Sequence, residues 1–146
     1  MTYPLMGDPF SPERLKMKPV IDFMRGLRKL PIIIQIWLMI LGMSNMMFPL
    51  FYISHVEAQV MFAATVLSFA IGVIMYKTQG MTRSMGLMHA PWLIAIYFLM
   101  KSVSNIGFDD PFGIWMGVAL LLTSISLIFD IVDTIRYIAG NRESLI

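Results

Sequence analysis

The sequence predicts an all-α integral membrane protein, a bundle of four transmembrane helices with an amphipathic interfacial helix at its N-terminus. Composition carries the prediction, because 58% of the 146 residues are hydrophobic, only 14% are charged, and the mean hydropathy is +0.73. A water-soluble domain carries roughly a quarter charged residues. The chain has no cysteine, which excludes disulfide scaffolds, thiolate metal sites and cysteine nucleophiles.

Four apolar stretches have the length of about 20 residues that a helix needs to cross a bilayer. They cover approximately residues 31–53, 56–76, 84–103 and 112–137. Residues 1–30 precede them as an arm, so residues 31–146 form a single transmembrane domain. The third stretch is the least regular, because it is free of charge only as far as Met100.

Local signals mark the ends of two of these helices. The run from Ser54 to Glu57 has the pattern of a capping box that opens the second span. Asp110 and Pro111 have the residue types preferred at an N-cap and at the first helical position of the fourth span. Gly140 has the type preferred just after a helix ends.

Three prolines interrupt the hydrogen bonding expected of continuous helices. Pro49 offers no N–H to the carbonyl of Asn45, which predicts a kink in the first span. In the same way, Pro91 is expected to leave the carbonyl of Leu87 without a partner in the third span. Within the arm, we expect Pro19 to end one short helix and begin another.

Basic residues predict the orientation. Ten of the eleven lysines and arginines lie in the arm, in the loop between the second and third spans, or at and beyond the C-terminal end of the fourth span. Only Lys101 would lie on the other side of the membrane. Under the positive-inside rule, both the N and C termini are then cytoplasmic.

The second half of the arm combines an apolar face with a basic one. The apolar positions recur at helical spacing and are Val20, Phe23, Met24, Leu27 and Leu30. This pattern is typical of a basic amphipathic helix that lies on the inner leaflet and contacts anionic lipids. A docking helix for a partner protein is the alternative. The basic face is too short to indicate nucleic-acid binding.

The fourth span carries a stripe of residues spaced alternately by four and three positions. Its members are Phe112, Met116, Ala119, Thr123, Ser126, Asp130, Asp133 and Tyr137. Such a seam faces other helices, and the small side chains Ala119, Thr123 and Ser126 allow close packing. In the second span, Ala64, Ser68 and Gly72 form a similar row of small residues.

Carboxylates within a span are costly and require compensation. Helical rise places several polar side chains at one depth in the inner-leaflet half, and we expect them to form a polar layer. Its members are Gln35, His89, Asp130 and Asp133, flanked by Arg83 and Arg136. The layer has three interpretations: a structural clamp in which Asp133 pairs with Arg136, a binding site for a headgroup, ligand or partner helix, or a proton- or metal-coupled function of His89 and Asp130.

Methionine and tryptophan have two interpretations each. Met39, Met43, Met46 and Met47 share one stripe of the first span, where they could bind Cu(I) or pack adaptably against another helix. Trp37, Trp92 and Trp115 lie near span ends and fit an aromatic belt better than a cofactor site. No cofactor is strongly implied, and the identity of any metal stays open.

The strings HVEAQV, TQGMTRSMGLMHAPW and FDIVDTIRYIAGNR resemble those of small, uncharacterised proteobacterial inner-membrane proteins with four spans. The resemblance covers most of the chain from Asn45 onward. It implies a multi-pass protein of the bacterial inner membrane, and it implies no activity.

Short loops favour a small interaction or accessory protein that packs as a homo-oligomer or as a subunit of a larger membrane complex. The alternative is a minimal transporter or channel with a cation- or proton-binding layer at His89 and Asp130. No catalytic residues are predicted. An enzyme would need an activated nucleophile or a metal near His89, which makes it the less favoured class.

Overall fold

The computed structural model describes residues 12–146, and over this range the backbone is helical and forms no β-sheet. The elements in chain order are α1 (Pro12–Leu27), α2 (Ile32–Gly42), a π-helix (Met43–Met47), α3 (Phe48–Phe51), α4 (Val56–Gln79), a 3₁₀ helix (Arg83–His89), α5 (Trp92–Ile106) and α6 (Pro111–Ile138). The predicted all-α class is confirmed for these residues.

Three helical segments are long and apolar enough to cross a membrane: Ile32–Phe51, which runs from α2 through α3, then α4, and then α6. The 3₁₀ helix and α5 pass the same test together, but they are bent by 48°. These segments indicate a membrane protein. We call the end of the bundle where α2 begins and where α4 and α6 end the basic end.

The first span contains the predicted distortion at Asn45 and Pro49, in the form of a π-helix. Because Pro49 has no N–H, the regular ladder cannot continue, and the N–H of Phe48 bonds to the carbonyl of Met43, five residues back. The wider turn buries Ser44 and Asn45.

The third predicted span is broken rather than continuous, which corrects the single helix predicted for residues 84–103. Pro91 cannot extend the ladder from the residues before it, so the chain ends a 3₁₀ helix at His89 and starts α5 at Trp92. The carbonyl of Leu87 is not free as predicted, because the tighter 3₁₀ spacing lets it accept the N–H of Ala90 at 3.2 Å.

Two of the three predicted helix-end signals are confirmed. The Asp110 carboxylate accepts the N–H of Gly113 at 2.7 Å, and Gly140 adopts a φ of 108° just after α6. The capping box is wrong, because α4 has no side-chain cap at its N-terminus. The carboxylate of Glu57 instead accepts the hydroxyl of Ser102 in α5 at 2.5 Å.

The arm helix packs on the bundle. Contrary to prediction, α1 runs through Pro19 without a break. The proline removes only one backbone hydrogen bond, and the packing of the helix face on the bundle is kept. The ring of Phe23 is fully buried. Its centroid lies 5.5 Å from the ring centroid of Phe69 and 5.7 Å from that of Tyr76. The sequence Ser11-Pro12-Glu13 also has the pattern of a helix start, but Ser11 lies outside the described residues.

The core is built on the seam of α6. The seam is buried from Phe112 to Ser126 and half-buried from Asp130 to Tyr137. The row Ala64, Ser68 and Gly72 of α4 is buried as well. Trp92 and Trp115 are also buried, so the aromatic-belt interpretation is wrong for both: their indole N–H groups donate to Thr65 Oγ1 and to the Ser44 carbonyl. In contrast, the methionine stripe of the first span is exposed on the outside of the bundle.

Candidate functional site at the basic end

The 3₁₀ helix and α6 approach each other unusually closely at the basic end. A Cβ placed on Gly86 would lie 2.9 Å from both the Cα and the carbonyl oxygen of Asp130. Glycine is therefore required at this position for the backbones to meet. The contact brings the polar side chains on either side of Gly86 within reach of the carboxylates of α6.

Two side-chain pairs connect these elements. The His89 Nδ1 lies 2.8 Å from the Asp130 Oδ2, and the Arg83 Nη1 lies 2.5 Å from the Asp133 Oδ1. The first pair is the more buried, with side-chain exposures of 10% and 19%. Its burial makes it the more important of the two for stability, because exposed pairs are screened by water.

The imidazole of His89 is fixed on two sides. With the carboxylate of Asp130 as acceptor, Nδ1 carries the hydrogen, and in the neutral ring Nε2 keeps a free lone pair. The ring also stacks on Trp92, with centroids 4.1 Å apart and an interplanar angle of 13°. Among the described residues, Nε2 has no hydrogen-bond partner. This is the arrangement of an oriented base or metal ligand.

Two members of the predicted polar layer do not join it. The Gln35 amide donates to the carbonyls of Leu30 and Arg28, at 2.7 and 3.0 Å, because the turn after α1 leaves these carbonyls above the first turn of α2. Arg136 is exposed, and its predicted pairing with Asp133 is wrong, since Arg83 reaches that carboxylate from the neighbouring element.

The structure adds residues that sequence reasoning missed. The Gln79 Oε1 accepts the hydroxyls of Ser84 and Tyr137, at 2.8 and 3.3 Å, which joins the end of α4 to the 3₁₀ helix and to α6. The C-terminal tail returns to the same place, where the N–H of Leu145 donates to the carbonyl of Met81 at 2.7 Å. No spacing in the sequence could indicate the contacts of Tyr137 and Leu145, because they join segments that are far apart in the chain.

A pocket of about 150 Å³ lies between α1, the 3₁₀ helix and α6. Both side-chain pairs contribute to its lining, so one side is polar. The remainder is apolar and includes Phe23 and three methionines of the segment before and within the 3₁₀ helix, Met81, Met85 and Met88. The pocket is thus an apolar chamber with an oriented imidazole in its wall.

A second polar group lies in the middle of the bundle. The amide of the fully buried Asn45 donates to Thr123 Oγ1 at 2.8 Å. Among the described residues, three buried side-chain atoms of the first span and α4 lack a hydrogen-bond partner: Ser44 Oγ, Asn45 Oδ1 and Ser68 Oγ. An asparagine in an otherwise apolar run was the only signal for this contact, and nothing pointed to Thr123 as its partner.

Metal-binding groups of the common kind are absent over the described range: no three His, Asp or Glu side chains cluster there. The two carboxylates and His89 therefore do not form a three-ligand site. No protein-family model, curated protein or solved structure matches this chain.

Proposed function

We propose that this chain is a small integral membrane interaction protein that associates with a second copy of itself through its first span. The observation that carries the proposal is an apolar groove of about 670 Å³ between the first span and α6. Its lining includes Met39 and Met43 on one side and Ile114, Val118 and Leu122 on the other.

The face beside the groove suits contact with another helix. Gly42 leaves open space around its Cα, since nothing lies within 4 Å of a Cβ placed there. Small residues on the outer face of a span let a neighbouring helix approach. Met39 and Met43, which are 70% and 50% exposed, have flexible side chains that can fill an irregular groove.

A second copy is the occupant that fits these features. In a two-fold contact, the same patch is used on both chains. The methionines of one chain would then enter the groove that they border in the other. The seam of α6 is buried within the chain from Phe112 to Ser126, so most of it is not free for a partner. The first span is therefore the better candidate for association.

The setting proposed for this contact is the bacterial inner membrane. Counted with the bent third segment, the chain would cross it four times, with both termini cytoplasmic and the basic face of α1 against anionic lipids. Cysteine labelling tests the topology, because the chain has no cysteine of its own. A membrane-impermeant maleimide should label Asn105→Cys in intact spheroplasts, and Lys18→Cys only after lysis. The reverse pattern contradicts the proposed orientation.

The same background makes the self-association directly testable. Single variants Met39→Cys and Met43→Cys, oxidised in native membranes, should form disulfide-linked dimers. Leu67→Cys is the matched control, because this residue is 53% exposed at the middle of α4, away from the groove. Dimers from Leu67→Cys as abundant as those from Met43→Cys, or a chain that is monomeric in both membranes and mild detergent, would reject the proposal.

A second candidate function is cation or proton transfer at the basic end, and the free Nε2 of His89 favours it. This function predicts that Asp130→Asn abolishes ion flux in proteoliposomes while the protein still folds. A variant that folds and retains wild-type flux, or a wild-type protein without flux, counts against it.

A further inference from the structure

Four side chains with soft or borderline donor atoms lie in one short segment and line one pocket. Met81, Met85 and Met88 supply thioethers, and His89 supplies an imidazole. Met81 and Met85 are 4% and 8% exposed, and Met88 packs against the same apolar cluster. We propose that these residues form a binding site for Cu(I) in the pocket between α1, the 3₁₀ helix and α6.

The 3₁₀ helix places two of these methionines on the same face of the segment. In a 3₁₀ helix, residues three apart lie directly above one another. Met85 and Met88 therefore share one face, whereas an α-helix would separate them by a part of a turn. The sulfur of Met88 lies against Gly72 of α4, where it would be 2.7 Å from an added Cβ. Three rotatable bonds allow a methionine to turn its sulfur toward an ion without a change in the backbone.

The imidazole is already prepared for coordination. Metal-bound histidines usually donate their second N–H to a carboxylate, which fixes the ring and its tautomer. The Asp130 carboxylate does this for Nδ1 of His89, at 2.8 Å, and Trp92 holds the ring plane. Nε2 remains as the donor atom without a partner among the described residues.

The donor set selects a soft, singly charged metal. Thioethers favour Cu(I), whereas divalent ions such as Zn²⁺ and Mg²⁺ require further imidazole, thiolate or carboxylate ligands. No third such ligand accompanies His89 and Asp130 in the described range. Both aspartates and one arginine line the pocket, so the formal charge of these three residues favours a monovalent cation.

The exposed methionine stripe of the first span provides an internal comparison. Met39, Met43, Met46 and Met47 also recur at helical spacing, but they lie on the outer surface of the bundle. No histidine lines the groove that Met39 and Met43 border. Our proposal therefore assigns Cu(I) to the buried methionines and not to the stripe that the sequence indicated. It is independent of self-association, because the groove proposed for that contact shares no lining residue with this pocket.

The test is an anaerobic titration of the full chain in detergent with Cu(I), in competition with a chromophoric Cu(I) chelator. We expect one equivalent to bind to the wild type. Met85→Leu combined with Met88→Leu should abolish this binding, and Asp130→Asn should weaken it by about tenfold, as expected when a supporting carboxylate is lost. Met39→Leu combined with Met43→Leu is the matched control and should bind like the wild type.

Two outcomes overturn the proposal: a wild type that takes up no Cu(I), and uptake that is unchanged in the Met85 and Met88 double variant. Leucine conserves the volume of methionine, and a thermal melt of each variant verifies folding. X-ray absorption of the Cu(I)-loaded wild type gives a check without any variant. Sulfur scatterers with one nitrogen support the site, and a shell of only nitrogen and oxygen contradicts it.

Discussion

The imidazole of His89 and the carboxylate of Asp130 are 41 residues apart in the sequence and 2.8 Å apart in the structure. This contact joins the 3₁₀ helix to α6 at the place where Gly86 permits a close backbone approach. It also leaves Nε2 of His89 without a hydrogen-bond partner among the described residues. One pair thus connects the stability of the basic end with its chemistry.

We expect the two side chains to be energetically coupled. His89→Leu or Asp130→Leu should each lower the free energy of unfolding by about 1–3 kcal/mol, because each leaves a half-buried polar partner unsatisfied. The double variant should lose less than the sum of the two, with a coupling energy of about 0.5–3 kcal/mol. Unfolding in mixed micelles, followed by circular dichroism, measures these values. Strict additivity would show that the contact contributes nothing to stability.

Gly86→Ala should destabilise the protein by about 1–3 kcal/mol, since the added methyl would meet the backbone of α6, which cannot move aside as a flexible side chain could. Gly42→Ala, measured at a detergent excess that keeps the chain monomeric, is the matched control, because in the described chain no neighbouring element lies within 4 Å of a Cβ placed there. There, alanine should be neutral or stabilising by about 0.5–1 kcal/mol from helix propensity. Melting temperatures of the two variants in the same detergent test this prediction. Equal effects at the two glycines would contradict the close approach of the 3₁₀ helix to α6.

The Arg83 and Asp133 pair should matter less than the histidine pair. Its side chains are 24% and 37% exposed, so water screens the interaction and each single alanine variant should cost at most about 1 kcal/mol. Reversal of both charges, Arg83→Asp with Asp133→Arg, should recover most of the stability lost by either reversal alone. If denaturation measurements show no such recovery, the two charges lie close together without stabilising the fold.

The hydrogen bond between Asn45 and Thr123 lies in the middle of the bundle and should contribute about 0.6 kcal/mol, the average for such bonds between membrane helices. A double-mutant cycle with Asn45→Leu and Thr123→Val measures it. The Asn45 Oδ1 has no partner, so Asn45→Leu also removes an unsatisfied buried atom and should cost little. A coupling energy indistinguishable from zero would indicate that the two side chains do not bond in the membrane.

Features that depend on neighbours in the sequence were predicted well. Apolar runs located the long helices, Asp110 identified the start of α6, and Gly140 marked the region where it ends. The alternating spacing along α6 identified its buried face, because helical periodicity alone determines which side chains share a stripe. The lack of an N–H on Pro49 predicted a local distortion, although not the π-helix that results.

Tertiary packing decided which polar groups meet. The sequence predicted one depth for His89, Asp130 and Asp133. Only the folded chain shows that Asp133 pairs with Arg83 rather than with Arg136. It also shows that Gln35 bonds to the carbonyls that follow α1. The depth of a side chain along a helix follows from its residue number. The rotation of a helix about its own axis, and its distance from a neighbouring helix, depend on every side chain packed between the two helices. Met81, Met85, Met88 and His89 line one pocket. This pocket results from the packing of the helices, so no spacing in the sequence could have predicted it.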